Sequence, residues 1–106
     1  MIRRFIVLDP QNKWVSALHE DDSIGNMLRL MSSVTQPKEE QMTAQFFGDD
    51  HWLFMPIPYR KSRPTFMLDN LLLSGKIILL GRGQNDTMTD ATLGLVDLQT
   101  RITWRP

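Results

Sequence analysis

The residues Lys76-Ile77-Ile78-Leu79-Leu80 form a short apolar run that lies between Gly75 and Gly81. A continuous apolar run of this length, with glycines at its ends, is typical of a strand that is buried on both faces of a sheet. The sequence therefore predicts a central strand at residues 76–80. The other predicted elements are described in relation to this strand.

The N-terminal segment Ile2–Leu8 is rich in β-branched and aromatic residues and predicts a strand that ends at Asp9-Pro10. The next residues have two interpretations. Residues 9–12 can form a turn before a second strand at Lys13–His19, or Asp9 can cap a helix that has Pro10 at its first position. We favour the turn and strand.

The clearest amphipathic segment begins at Asp22 or Ser23, either of which can cap a helix, and runs to Val34. We expect Met27 and Met31 to fill the core rather than to form a binding surface. The polar segment 35–41 contains a proline and predicts a loop. The apolar stripe of the helix consists of Ile24, Met27, Leu28, Met31 and Val34.

The segments Met42–Phe47 and Trp52–Ile57 flank the residues Gly48-Asp49-Asp50-His51 and predict a β-hairpin. Proline has no N–H to donate to a ladder. We therefore expect Pro56 and Pro58 to end the second strand.

The remaining segments predict a helix, a loop and a hairpin. Residues 81–87 are expected to form an exposed loop, because they contain little that can pack. Ala91–Leu98 and Arg101–Trp104 are expected to form a final hairpin, with a short helix capped by Asp90 as the alternative. Pro64–Leu73 is expected to form a helix with an apolar face of Met67, Leu68, Leu71 and Leu72.

The chain has 106 residues, of which 42% are apolar and 23% are charged, so its composition is that of an ordinary globular protein. We predict a single α+β domain over residues 1–106, with an antiparallel or mixed sheet of about five strands and two helices on one face. The lack of cysteine excludes disulfides and favours a reducing compartment. No segment has the length of a signal peptide or a membrane span. We expect a cytoplasmic protein with no membrane partner.

The formal net charge is zero, but the charges are unevenly distributed along the chain. Residues 9–50 hold eight acidic and three basic side chains, a net charge of −5. Residues 51–106 hold seven basic and four acidic side chains, a net charge of +3, and Arg3 and Arg4 supply the other two positive charges. A neutral total therefore does not exclude a charged surface.

Both histidines have carboxylates beside them in the sequence. If the fold brought His19, His51, Asp49 and Asp50 together, they could hold a divalent metal with an open position for water, as in a metal-dependent hydrolase. Structural roles compete with this reading, because the acidic residues after His19 suit a helix cap and Asp49-Asp50 suits a tight turn. We predict no metal and no cofactor, and keep these four residues as weak metal candidates.

A basic cluster is the candidate for nucleic-acid binding. Basic side chains neutralise phosphates, and a tyrosine ring can stack on an unpaired base. The neutral net charge of the chain opposes this reading, and the alternative is a solvated polar loop. The candidate residues are Tyr59, Arg60, Lys61 and Arg63, together with Arg82 in the predicted loop.

Catalytic motifs are missing from the sequence. No serine lies in a Gly-x-Ser-x-Gly elbow, and the glycines at 81 and 83 do not continue into a dinucleotide-binding fingerprint. We therefore predict no catalytic residues and a non-enzymatic module that binds another protein. Trp52, beside the predicted turn, is expected to be a partly exposed aromatic anchor. Edge strands of a small sheet also permit a homodimer.

The order of elements resembles that of small phage and plasmid proteins. The shared layout consists of a helix at Ser23–Val34, an Asp-Asp turn and apolar strand at Asp49–Pro56, a further helix, and the glycine-bounded strand at Ser74–Gly81. This resemblance covers residues 23–81. It implies a mobile-element accessory or inhibitor protein, and it implies no catalytic residues.

Overall fold

The computed structural model describes residues 1–31, 41–57 and 64–105, without the side chain of Gln41. These residues form two α-helices, nine strands and one turn of 3-10 helix at Gln84–Asp86. The helices are α1, Ile24–Met31, and α2, Leu95–Arg101. The strands are β1, Ile2–Asp9; β2, Trp14–Asp21; β3, Gln41–Phe47; β4, His51–Ile57; β5, Thr65–Leu68; β6, Leu71–Ser74; β7, Ile77–Arg82; β8, Met88–Thr89; and β9, Ile102–Trp104.

The larger sheet has six strands, and β7 lies at its centre. The strand order is β2-β1-β7-β4-β3, and the short strand β8 pairs with the end of β7. Every pairing in it is antiparallel. All side chains from Ile77 to Leu80 are 0% exposed, which confirms the predicted central strand. This strand continues through Gly81 and Arg82, which the sequence had placed in a loop.

The two faces of the larger sheet are covered by different layers. On one face α1 packs through Met27 and Met31, and on the other face lie α2 and a second sheet of order β6-β5-β9. The expectation of two helices on one face is therefore wrong, although the α+β class is confirmed. The described residues also form nine strands rather than about five. Alternate residues of each central strand enter opposite layers: Phe5, Val7, Ile78 and Leu80 face α1, and Ile6, Leu8, Ile77 and Leu79 face α2.

The β1–β2 hairpin confirms the turn and strand at residues 9–19 and excludes the helix. The two strands pair without interruption along all eight residues of each. The carboxylate of Asp9 organises the turn, because it accepts hydrogen bonds from the backbone of Gln11 and Asn12 and from the side chains of Asn12 and Trp14. Burial by itself raises the pKa of Asp9, but the hydrogen bonds outweigh it and hold that pKa below its ordinary value.

Helix α1 begins where the sequence places it. The hydroxyl of Ser23 accepts a hydrogen bond from the backbone N–H of Asn26 at 3.3 Å, as an N-cap does. Met27 and Met31 are 1% and 5% exposed, which confirms that they fill the core. Ile24, the first residue of the predicted stripe, is instead exposed. Val34 and residues 35–40 of the predicted loop lie outside the described residues, and Gln41 belongs to β3.

The predicted β3–β4 hairpin is confirmed, with a turn at residues 48–50. Pro56 does not end the second strand, since β4 continues to Ile57. β4 pairs with β7 only as far as Phe54, and beyond that residue its strand partner is β3. Pro56, which has no N–H to donate, therefore lies in the part of β4 that has one strand partner. Pro58 lies outside the described residues.

Residues 64–73 do not form the predicted helix. They form the β5–β6 hairpin, in which Phe66 and Leu68 are fully buried. The apolar positions of this segment fit both the helical and the strand period, so spacing alone does not decide between them. Two other features favour strands. Asp69 adopts a left-handed conformation with φ of 52° at the turn, and β9 pairs with the free side of β5.

The predicted strand at residues 91–98 is also wrong. Helix α2 begins at Leu95 with Gly94 as its N-cap, whereas Asp90, the cap considered from sequence, accepts a hydrogen bond from the backbone N–H of Arg4 at 2.8 Å. The predicted strand at residues 101–104 is confirmed as β9, but it pairs with β5. The complete burial of Leu98 between α2 and the sheets outweighs the β-propensity of this segment.

Candidate functional site

Three side chains form a stacked group at the turn end of the β3–β4 hairpin, which we call the aromatic–arginine surface: Phe46, Trp52 and Arg82. Phe46 lies directly opposite Trp52 on neighbouring strands, and their ring centroids are 5.0 Å apart. The guanidinium carbon of Arg82 lies 4.0 Å from the centroid of the Phe46 ring. Phe46 therefore contacts both an aromatic ring and a cation, an arrangement in which cation–π attraction adds to apolar packing.

Arg82 is held in place by the chain around it. Its Nη2 donates to the backbone oxygen of Asp49 at 2.7 Å, and its Nη1 lies 3.5 Å from a carboxylate oxygen of Asp86. Its backbone N–H also donates to the carbonyl oxygen of Asp50. The side chain is 20% exposed. The guanidinium thus donates to a backbone oxygen of the chain and its charge is paired with Asp86, which weakens its candidacy as a phosphate-binding residue.

Trp52 also contacts Phe46. Its ring is in contact with those of Phe46 and Phe54, at centroid distances of 5.0 and 6.3 Å. It is half-buried, and its buried indole N–H has no hydrogen-bond partner among the described residues. Phe46 is the exposed member of the group, with 55% of its surface accessible. The most exposed ring of the group is thus that of Phe46, the residue opposite Trp52, and the register of the predicted hairpin could have identified it.

Acidic side chains surround this surface. Asp49 and Asp50 lie in the hairpin turn, and Asp86 follows β7; all three are exposed. A hydrogen bond with the imidazole of His51 lowers the pKa of Asp50, so this carboxylate is ionised at neutral pH. The aromatic–arginine surface therefore combines an exposed apolar centre with carboxylates at its edge.

The weak metal candidates are not brought together. His51 is fully buried, its Nδ1 lies 2.8 Å from Asp50, and its Nε2 accepts a hydrogen bond from the backbone N–H of Thr92. Both ring nitrogens are therefore occupied. His19 is exposed on β2, and β1 and β7 lie between that strand and β4, a separation of about 14 Å. Among the described residues, no group of three or more His, Cys, Asp or Glu side chains could hold a metal ion.

The basic cluster of the sequence lies outside the described residues, namely Tyr59, Arg60, Lys61 and Arg63. Of the predicted binding residues, the structure places Trp52 and Arg82, and it brings these two together around Phe46. They are 30 positions apart in the sequence. Only the pairing of β4 with β7 explains why they meet.

Comparisons with protein-family models, with curated proteins and with solved structures found no match. In the ranges that the structure describes, no helix is long and apolar enough to cross a membrane. The functional interpretation therefore depends on the geometry of the aromatic–arginine surface.

Proposed function

We propose that this chain is a small non-enzymatic interaction module that binds another protein through the aromatic–arginine surface. The observation that carries the proposal is the exposure of Phe46 on an ordered support: 55% of its surface is accessible while Trp52 and Arg82 both contact its ring. Aromatic and arginine side chains are the residues that most often dominate binding energy in protein interfaces.

The support of Phe46 lowers the entropic cost of binding. Arg82 is fixed by Asp49 and Asp86, and Trp52 is packed against Phe54, so these side chains have little rotamer freedom to lose. Association costs about 0.5–1.5 kcal/mol for each flexible side chain that becomes immobilised. A surface that is already ordered avoids part of this cost.

The carboxylates around the surface indicate the chemistry of the partner. Asp86 is exposed and pairs with Arg82, which contacts Phe46, and Asp49 and Asp50 are exposed in the adjoining turn, so a partner with an apolar side chain flanked by basic groups would complement both features. The same carboxylates repel phosphates, which favours a protein over a nucleic acid at this surface.

Site-specific photo-crosslinking in the native host tests the proposal. A benzoylphenylalanine at position 46 is expected to form a discrete adduct with one other protein, whereas the same group at Val96, which is 75% exposed on α2, is expected to form none. With the purified partner, Phe46→Ser is expected to weaken binding at least about tenfold by calorimetry, and Val96→Ser to leave it unchanged. No adduct at position 46, or equal affinity for Phe46→Ser and wild type, would contradict the proposal.

Nucleic-acid binding through Tyr59, Arg60, Lys61 and Arg63 with Arg82 is the alternative. It predicts retention on heparin that falls steeply with salt and is reduced in Arg60→Ala and Arg63→Ala but not in Phe46→Ser.

The lack of cysteine supports the cytoplasm as the proposed location. The resemblance of the sequence to small phage and plasmid proteins adds the proposal that this module serves a mobile element as an accessory or inhibitor, although the structure has the β5–β6 hairpin where that layout has a further helix.

A further inference from the structure

Four of the five edge strands in the described parts of the two sheets carry features that oppose pairing with another chain. Strands β6, β8 and β9 have four, two and three residues, and short edges offer few free backbone groups. Strand β2 ends in the charged pair Glu20 and Asp21 and contacts both helices. These are the devices by which native proteins protect a sheet edge.

The fifth edge, β3, carries none of these features. Its sequence, Gln-Met-Thr-Ala-Gln-Phe-Phe, has no charge and no proline. It pairs with β4 at all seven positions without a bulge, and residues 43–46 are exposed. No segment among the described residues pairs with its outer side. A long, regular and uncharged edge exposes unpaired N–H and C=O groups that a further strand can satisfy.

We propose that β3 pairs antiparallel with β3 of a second copy of this chain, across a two-fold axis at Ala44. This axis places Phe46 opposite Met42 of the second copy, Ala44 opposite Ala44, and Thr43 opposite Gln45. The result is a continuous sheet through both copies.

The side chains of β3 are self-complementary in this register. Met42, Ala44 and Phe46 share the face on which α1 lies, because their partners on β4 include Trp52 and Phe54 of that layer. The two-fold axis therefore sets apolar residues against apolar residues on this face and Thr43 against Gln45 on the other. A shift of one residue would set each residue against one that points to the opposite face. Opposite residues point to the same face only when the two-fold axis passes through a residue. Ala44 is the middle residue of β3, so an axis there pairs all seven positions of the strand.

This inference does not depend on the proposed function. It concerns the pairing of β3 with a second copy, in which Phe46 lies opposite Met42 of that copy, whereas the proposed function concerns contact of the Phe46 ring with a different protein. A chain that remained monomeric would leave that binding proposal intact, and a dimer that bound no other protein would leave the edge inference intact.

Sedimentation over a range of concentrations tests the pairing. The wild-type chain is expected to reach twice the monomer mass. Ala44→Lys sets two ammonium groups opposite each other at the axis, and Ala44→Glu sets two carboxylates there. Each variant is expected to raise the dimer dissociation constant about fivefold. An equal mixture of Ala44→Lys and Ala44→Glu is expected to form a heterodimer at least as well as wild type, because opposite charges now face each other.

The matched control is Thr103→Lys, which adds the same charge at an exposed position on β9. It is expected to dimerise like wild type. Circular dichroism confirms that each variant is folded. A monomeric wild-type chain, a dimer lost equally in Thr103→Lys, or a charge-swap mixture that stays monomeric would each overturn the inference.

Discussion

The imidazole Nε2 of His51 accepts a hydrogen bond of 3.1 Å from the backbone N–H of Thr92, 41 residues later in the chain. An accepting Nε2 carries no proton, so the neutral ring has its proton on Nδ1, which donates to Asp50. His51 thus connects the β3–β4 hairpin to the segment that leads into α2. Its role is to position the chain, because neither nitrogen is available to a metal or a substrate.

Replacement of His51 by Phe is expected to destabilise the fold. The variant keeps a ring of similar size in this fully buried position but leaves the Thr92 N–H without its acceptor. We expect a loss of about 0.5–1.5 kcal/mol, the net contribution of one hydrogen bond at an exposed residue, measured by urea denaturation. Hydrogen exchange at the Thr92 amide should accelerate more than at amides of β1. Unchanged protection at Thr92 would show that this hydrogen bond contributes little.

Asp69 is expected to contribute to the acid sensitivity of the fold. The guanidinium of Arg101 donates to both of its carboxylate oxygens, at 3.1 and 2.6 Å, and these bonds lower the pKa of Asp69. A carboxyl whose pKa is lower in the folded state stabilises that state above its unfolded pKa of about 3.9, and this stability is lost as the pH falls through the folded pKa.

The measurement is the free energy of unfolding between about pH 6 and pH 2. Asp69→Asn should lose less stability than wild type over this range, since it has no such proton to take up, and asparagine tolerates the φ of 52° at this position. Asp49→Asn is the control, because its carboxylate makes no hydrogen bond within the described residues. Parallel pH profiles for Asp69→Asn and wild type would refute the linkage.

Replacement by alanine should change the stability of the fold in opposite directions at two glycines. A Cβ at Gly81 would collide with the carbonyl oxygen of Asp90 and the hydroxyl of Thr89, and backbone cannot yield as a flexible side chain can. We expect Gly81→Ala to cost about 1–3 kcal/mol or more. Gly25 lies in α1 with no atom within 4 Å of the added Cβ, so Gly25→Ala should stabilise by about 0.5–1 kcal/mol. Thermal denaturation distinguishes the two, and a stable Gly81→Ala would contradict the close approach of residues 89–90.

The placement of the helices on opposite faces can be tested by additivity. Met27 of α1 and Leu98 of α2 are 1% and 0% exposed in separate apolar clusters. Met27→Ala and Leu98→Ala should each cost about 2–5 kcal/mol. Because the central sheet separates them, the double variant should equal the sum of the two within about 0.5 kcal/mol. A larger coupling energy would mean that the two helices share one core.

Local signals in the sequence were sufficient for most of the larger sheet. The strand between Gly75 and Gly81, the hairpin around Asp49-Asp50 and the cap at Ser23 depend on neighbouring residues, and all three are confirmed. The candidate Trp52 also lies at the exposed surface that we propose binds a partner, whereas its neighbour Phe46 was missed. Finding Phe46 required the register of the hairpin as well as its existence.

The predictions were wrong for segments whose conformation depends on distant residues. The apolar positions between Phe66 and Leu73 suit a helix or a hairpin, and pairing with β9, more than 30 residues later, favours strands. Residues 91–104 contain five β-branched residues, yet residues 95–101 form α2 because that conformation buries Leu98 against the sheets.

By itself, the sequence determined the central strand, the first two hairpins and the start of α1, because each depends on turn chemistry and apolar spacing within a few residues. Only the tertiary structure decided the second sheet, the separation of the helices onto two faces and the meeting of Trp52 with Arg82. These features arise from strand pairing between distant segments, and the free energy of that pairing is not encoded in any local window of the chain.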